Sequence, residues 1–239
     1  MDTPRYTIVQ AGFVLLTLLF ISLLVFEFRK AIRLTGWDQK QTSKFLNQII
    51  GTLLIWGAFV SAWSLSGRMA DFSMFPLNFL PVLAIPILVA LALIPSKKFG
   101  EVLRHIPPAN IIRLQSFRVF VEVLLWLLFV DSLLPVQMTF EGRNFDILSG
   151  LSAPLIALVV SKGKISRTGV VVWNILCLGL LLNIVITAIL STPSPWRIFM
   201  NEPANYIVTY FPISWLPGFL VPLAYYLHFM SLRQMGQKQ

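Results

Sequence analysis

Residues 6–26, YTIVQAGFVLLTLLFISLLVF, run for twenty-one positions without a charged side chain. The hydrocarbon core of a bilayer is about 30 Å thick, and about 20 apolar residues in an α-helix cross it. Backbone placed in hydrocarbon must satisfy its own hydrogen bonds, so an isolated run of this length reads as a spanning helix. The run starts at Tyr6 and no small-residue cleavage pattern clearly follows it, which marks a permanent span rather than a removed signal. Further apolar stretches repeat the pattern. Seven spans are predicted, at roughly 7–28, 44–66, 75–95, 111–134, 145–161, 169–190 and 211–231. Only 12% of the 239 residues are charged and 56% are hydrophobic, too few charges to cover a soluble domain. The fold class is an all-α integral membrane protein.

The charges alternate along the chain. Arg29, Lys30, Arg33, Lys40 and Lys44 follow the first span, and Lys97, Lys98, Arg104 and Arg113 follow the third. Lys162, Lys164 and Arg167 follow the fifth, and Arg233 and Lys238 close the chain. The other side holds only Arg5, Arg68, Arg143 and Arg197, so all eight lysines share one side. Positive loops stay cytoplasmic, which predicts an outside N-terminus, an inside C-terminus and a plasma membrane of bacterial inner-membrane type. The net charge of +9 follows from these loops. It points to anionic lipid at the cytoplasmic face and not to nucleic acid, since no aromatic-interleaved basic patch or zinc-finger spacing accompanies it. Cys177 is the one cysteine and lies inside an apolar run, so no intrachain disulfide forms.

Prolines give the internal organisation. FPLNFLPVLAIP (75–86) and FPISWLPGFLVP (211–222) each carry three prolines five apart, and five of the twelve aligned positions are identical. Both stretches enter from the outer side, four spans apart, so the echo is a parallel repeat. The chain divides into a first three-helix bundle (1–95), a cytoplasmic linker with a linking fourth helix (96–134), and an outer loop with a second three-helix bundle (135–239). Parallel repeats about an axis along the membrane normal are a transporter plan. Proline frees a carbonyl one turn back, which in lipid must find protein or water.

The second half narrows the comparison. SAPLIALVVSKGKISRTGVVVWNILCLGLLLNIVITAIL (152–190) places a small residue and proline early in one span, then a short basic turn, then a span with an internal asparagine, Asn183. LPGFLVPLAYYLHFM (216–230) lies in the last span. This resembles the second triple-helix bundle of the SWEET sugar transporters and the wider PQ-loop group, and the three-plus-one-plus-three, N-out architecture resembles theirs; no Pro-Gln dipeptide occurs. The resemblance implies a solute pocket between two bundles. Asn78 is a counterpart of one of that family's paired pocket asparagines, with Ser214 or Gly218 at the matching place in the last span.

Few residues carry candidate chemistry. Glu122 lies mid-span, where a charged carboxylate costs at least ~2.5–3.5 kcal/mol, so it pairs, protonates or faces a cavity. Arg118 is one turn away and Gln115 shares that face, so Arg118 and Glu122 are expected to form a local pair with a coupling or structural role. Asn78, Trp56, Asn183 and Trp215 are the candidate solute contacts. Asn174 and Asn183, nine residues apart, point to opposite sides of one helix. On the outer face, TFEGRNFD (139–146) and WRIFMNEPANY (196–206) offer Glu141, Arg143, Asp146, Arg197 and Glu202 as a lid or docking surface.

Catalytic inventories are thin. His105 and His228 are the only histidines, and both are expected at cytoplasmic ends, which suits neither haem nor zinc. No HExxH, GxSxG, Walker A or GxGxxG pattern occurs, so no catalytic residue, metal or cofactor is assigned. The leading expectation is a transporter or facilitator of a small polar solute, working by alternating access between two bundles. The alternatives are a non-transporting scaffold or sensor whose outer loops bind a partner, and an intramembrane lipid-acting enzyme. Oligomeric state stays open.

Overall fold

The computed structural model describes residues 3–237, and among these residues all regular structure is helical. Helix α1 (Pro4–Ile32) begins where the Thr3 hydroxyl accepts the Tyr6 amide at 3.1 Å and Pro4 takes the first turn, where its missing N–H costs nothing. Arg29 and Lys30 stand in its last turn, where their charge suits a helix C-terminus. Helix α2 (Gln39–Leu65) is capped by Asp38, which accepts the Gln41 amide at 2.7 Å. Helix α8 (Arg167–Leu190) is capped by Ser166. These three helices are each long and apolar enough to cross a membrane.

Between α2 and α8 the elements are shorter: α3 (Leu80–Leu93), α4 (Lys97–Arg104), α5 (Pro108–Leu114), α6 (Phe117–Val130) and α7 (Ile147–Ser161). The pair α3 and α4 is bent by 80° and is apolar enough to count as one broken span. The last helix, α9 (Val221–Gly236), is led by a π-helical turn, Leu216–Leu220.

Each predicted span contains a helix, but several edges move. The stretch 75–95 does not start as a helix, because Phe75 is extended at ψ 136° ahead of Pro76, and helix sets in only with Pro81 in the first turn. The stretch 111–134 breaks at Gln115–Ser116 and stops at Asp131–Ser132, where Ser132 is left-handed with φ 56°. The last span begins later and runs to Gly236.

Large apolar side chains stand exposed around the bundle: Leu15 and Leu18 on α1, Leu54 and Ile55 on α2, Leu88 and Leu91 on α3, Leu176 and Leu182 on α8. Soluble monomers rarely expose contiguous apolar surface on this scale, and the pattern is compatible with an all-α membrane protein. Inside, α8 packs along α9, α1 along α6, and α5 against α7 and α9.

Helix α2 buries only Val60 and Ser64 and is held by polar staples instead. Pro222 lacks the N–H that would reach the Gly218 carbonyl one turn back, and Trp56 Nε1 donates to that carbonyl at 2.7 Å. Trp215 Nε1 donates to Ser61 Oγ at 3.0 Å, and Ser64 Oγ donates to the Thr209 carbonyl at 2.6 Å. Trp63 Nε1 donates to the Asn78 carbonyl at 2.9 Å, so one face of α2 grips both proline-rich stretches. Gly218 permits the approach, since a Cβ there would stand 2.7 Å from Val60 Cγ1. The freed carbonyl of the proline echo thus finds an indole, in a place where lipid offers no donor. Trp56→Phe keeps the ring and deletes the donor; it is expected to cost about 1–3 kcal/mol in reversible unfolding, the penalty of an orphaned buried acceptor, while Trp126→Phe at the periphery stays near wild type.

Candidate functional site

Asp146 immediately precedes α7, and the Asn144 side chain sets it there. Asn144 Oδ1 accepts the Asp146 backbone N–H at 3.1 Å, a local turn that asparagine makes readily. An accepting oxygen fixes the amide orientation, so Asn144 Nδ2 points the other way, 2.7 Å from each oxygen of Glu122 and 3.1 Å from the Met138 carbonyl. Gly150 brings α7 close enough for this, because a Cβ there would stand 2.7 Å from the Val119 nitrogen on α6.

Arg118 and Asp146 form a buried ion pair through Nε and Nη2 on one side and both carboxylate oxygens on the other. Arg118 Nη1 lies 2.8 Å from His228 Nε2, and His228 Nδ1 lies 2.8 Å from Asn174 Oδ1. A guanidinium only donates, so Nε2 accepts and the imidazole carries its proton on Nδ1, donating to Asn174. Asn174 Nδ2 then donates to Ser231 Oγ at 3.0 Å and to the Val170 carbonyl at 2.8 Å. A continuous polar chain therefore runs Glu122–Asn144–Asp146–Arg118–His228–Asn174–Ser231. It joins α6, the 139–146 loop, α9 and α8. Each of these seven residues is buried.

A cavity of about 320 Å³ lies against one end of this chain. Arg118, Glu122, Asn144 and Asp146 are among its lining residues, as are Thr192 and Asn205, but the surface turned to it is almost wholly hydrocarbon from α3, α6, α8, the π-turn and α9, including Leu83, Leu125, Leu181, Ile184 and Leu220. Phe75 and Trp196 line it too and meet edge-to-face with ring centroids 4.8 Å apart. Trp196 is 57% exposed and marks the rim. It belongs to a strap, residues 191–206, on which Ile198 and Met200 also point outward. Arg197 holds the strap together, donating to the Phe199 and Asn201 carbonyls and to Glu202 at 2.9 Å. The hydrogen bond from Arg197 holds the Glu202 carboxyl below the usual carboxylate range.

The residues singled out from the sequence distribute differently from the expectation. Arg118 and Glu122 do not pair; Arg118 reaches across to Asp146, and Glu122 takes the Asn144 amide. Two charges on one helix face compete with the better geometry that α7 offers, where a fork meets both oxygens of one carboxylate. Asp146 is accordingly a buried partner and not an outer-surface charge. Of the other outer-face candidates, Glu141 accepts from Trp126 Nε1 at 2.6 Å, Arg143 lies over the Phe199 ring at 5.1 Å, and Arg197 pairs with Glu202, so Glu141, Asp146 and Glu202 have separate partners and do not converge.

None of Asn78, Trp56, Asn183 and Trp215 lines the cavity. Asn78 is buried with Nδ2 on the Met69 carbonyl at 3.1 Å, and Asn183 sits at the periphery, donating to the Arg143 carbonyl at 2.8 Å. Asn174 faces inward and Asn183 does not, as their spacing implies. His228 lies mid-helix in the core, not at a cytoplasmic end, because α9 runs to Gly236. Asn144 was not singled out from the sequence; the N-x-D spacing of Asn144 and Asp146 ahead of an apolar run, a helix-start signature, is the local signal that could have pointed to it.

Residues 93–235 match the family described as a domain of unknown function, DUF8737. The chain belongs to that family. No curated protein and no solved structure matches it. The DUF8737 segment begins at the end of α3 and contains every member of the polar chain, while α1, α2 and the first proline stretch lie outside it.

Asn144→Leu removes both the donor to Glu122 and the acceptor for Asp146. It is expected to cost about 1–3 kcal/mol in unfolding, and Glu122→Leu in the same background to restore part of that loss, because the orphaned carboxyl goes with it.

Proposed function

We propose that this is a seven-span membrane protein, N-terminus outside, whose central cavity binds an amphipathic and mainly apolar molecule. The cavity's lining carries the reading: the surface turned to it is almost wholly hydrocarbon, with a few polar residues among those that line it. Such a shape suits a chain-bearing ligand and offers little to a small solute that must be hydrogen-bonded on all sides. Ligand sites between helices of a bundle are built in this way. Support for seven spans comes from the helix found in each predicted stretch, with α5 and α6 separated by only two residues and the π-turn continuous with α9. Support for the orientation comes from the sequence, where the lysines fall on one set of alternate connections and on the C-terminal tail. Transport of the bound molecule by rocking of the proline-broken segments, on a SWEET-like plan, extends the same proposal: Pro76 and Pro217 both line the cavity.

A diazirine-bearing alkyl probe in lipid nanodiscs tests this at residue resolution. Labelling is expected at the inward Leu181 and Ile184 as well as at the outward Leu182 and Ile186, and Ala188→Trp, which fills the cavity, should remove only the inward labels. Labels confined to the outward pair would contradict the proposal. If a cysteine at position 184, in a Cys177→Ser background, reacted with a water-soluble maleimide from outside, the cavity would be an aqueous path and a polar solute the better ligand.

A further inference from the structure

Resting on the cavity and spanning readings above, the exposure of the lining residues locates the mouth of the cavity. Met138, Thr192, Asn205 and Val208, which line it from the connections, are buried, and so are all the lining residues of α6. The lining residues that keep exposed surface come from two short stretches, 75–83 at the entry to α3 and 185–196 at the exit of α8, with half-buried Val221 at the start of α9. Helices α3 and α8 each pack on α9. The mouth therefore lies between α3 and α8, at the end of both helices that the strap covers.

Its rim is apolar. Pro76, Leu80, Leu83, Val185, Ile189 and Trp196 bring no charge, and the Trp196 indole is the one hydrogen-bonding side chain among these six. The flanking elements expose more hydrocarbon: Leu88 on α3, Leu182 and Ile186 on α8, and Ile198 on the strap. Apolar surface of this kind is unfavourable against water and at ease in hydrocarbon. Ile184, buried in the lining, lies six residues before the end of α8, about 9 Å at 1.5 Å per residue, which in the N-out orientation puts it in the outer half of a ~30 Å hydrocarbon core. The strap folds back over the end of α8, where the Leu190 carbonyl accepts the Ile198 and Phe199 N–H groups at 2.9 and 3.1 Å and the Ser191 carbonyl accepts the Asn205 N–H at 2.8 Å. Trp196 is thereby carried to its edge-to-face contact with Phe75, which joins the strap to the first proline stretch across the rim.

We propose that the cavity opens sideways, between α3 and α8, into the outer leaflet, and that it takes an acyl chain of a bilayer lipid directly from the hydrocarbon. The strap and the Phe75–Trp196 contact close the route from water. The chain slides in while its headgroup stays at the membrane surface beside Trp196, the level at which indoles commonly sit.

Nanodiscs made with a phosphatidylcholine that carries a diazirine in one acyl chain test this route, with the free diazirine-bearing alkyl probe as the control that can enter from either side. The lipid is expected to label the inward Leu181 and Ile184 as well as the outward Leu182. Val185→Trp at the mouth, or Leu83→Trp from its opposite lip, should cut the inward lipid labels severalfold while Leu182 keeps its own. Inward labels from the alkyl probe with none from the lipid would overturn this inference and leave the cavity reading intact. So would inward lipid labels that both mouth variants, folded, leave unchanged. Inward labels from neither probe remove the cavity reading itself, and the inference with it.

Discussion

Arg118 must be neutralised, and much of the arrangement follows from where that happens. A guanidinium deep among helices loses its hydration, and attraction to a counter-ion offsets the loss only if geometry is good and the remaining donors are filled. Asp146 supplies two oxygens to the fork, His228 takes a further N–H, and the Cys177 carbonyl takes another. The 139–146 loop is thereby drawn into the core and α7 is set against α6, where Gly150 lets the backbones approach. His228 and Asn174 carry the same constraint to α9 and α8.

The cavity is the complement of this arrangement. Four members of the polar chain are among its lining residues, and side chains from α3, α8 and α9 supply a wall that is almost wholly hydrocarbon. Helix α2 stands outside and stiffens the frame. Its indoles hold the carbonyls of Gly218 and Asn78, one in each proline-rich stretch. Pro222 breaks the regular ladder at Gly218, and Trp56 mends it from a neighbouring helix. Bending is thus available next to the cavity without leaving backbone groups unmatched in lipid.

Class was legible in the sequence, and partners were not. Runs such as 6–26 announce a membrane helix by length alone, because hydrocarbon thickness sets the requirement. The proline echo was legible as an irregularity, and its carbonyl problem could be stated, but only the fold names Trp56 as the solution. Glu122 was visible as a costly mid-span carboxyl. Its neighbour by helix spacing, Arg118, was the wrong partner, since i,i+4 proximity says what is allowed and not what competes from another helix. Asp146 sat among loop charges and looked solvated; nothing local in TFEGRNFD reveals that the loop folds inward. His228 was misplaced because the last helix begins later and extends further than its apolar run. Trp56 and Trp215 read as solute contacts, yet each has an N–H that packing against a neighbouring helix obliges it to use.

The most direct test of this account is a double-mutant cycle on Arg118 and Asp146, with unfolding measured reversibly in mixed micelles. Asp146→Leu alone strands a buried guanidinium and Arg118→Met alone strands a carboxylate, so each is expected to cost about 3–5 kcal/mol. The double variant Arg118→Met/Asp146→Leu, with hydrocarbon in place of both charges, should be more stable than either single variant, a strong positive coupling. Losses that simply add would mean that the two residues act independently, and the pair would not be the constraint around which the bundle is organised.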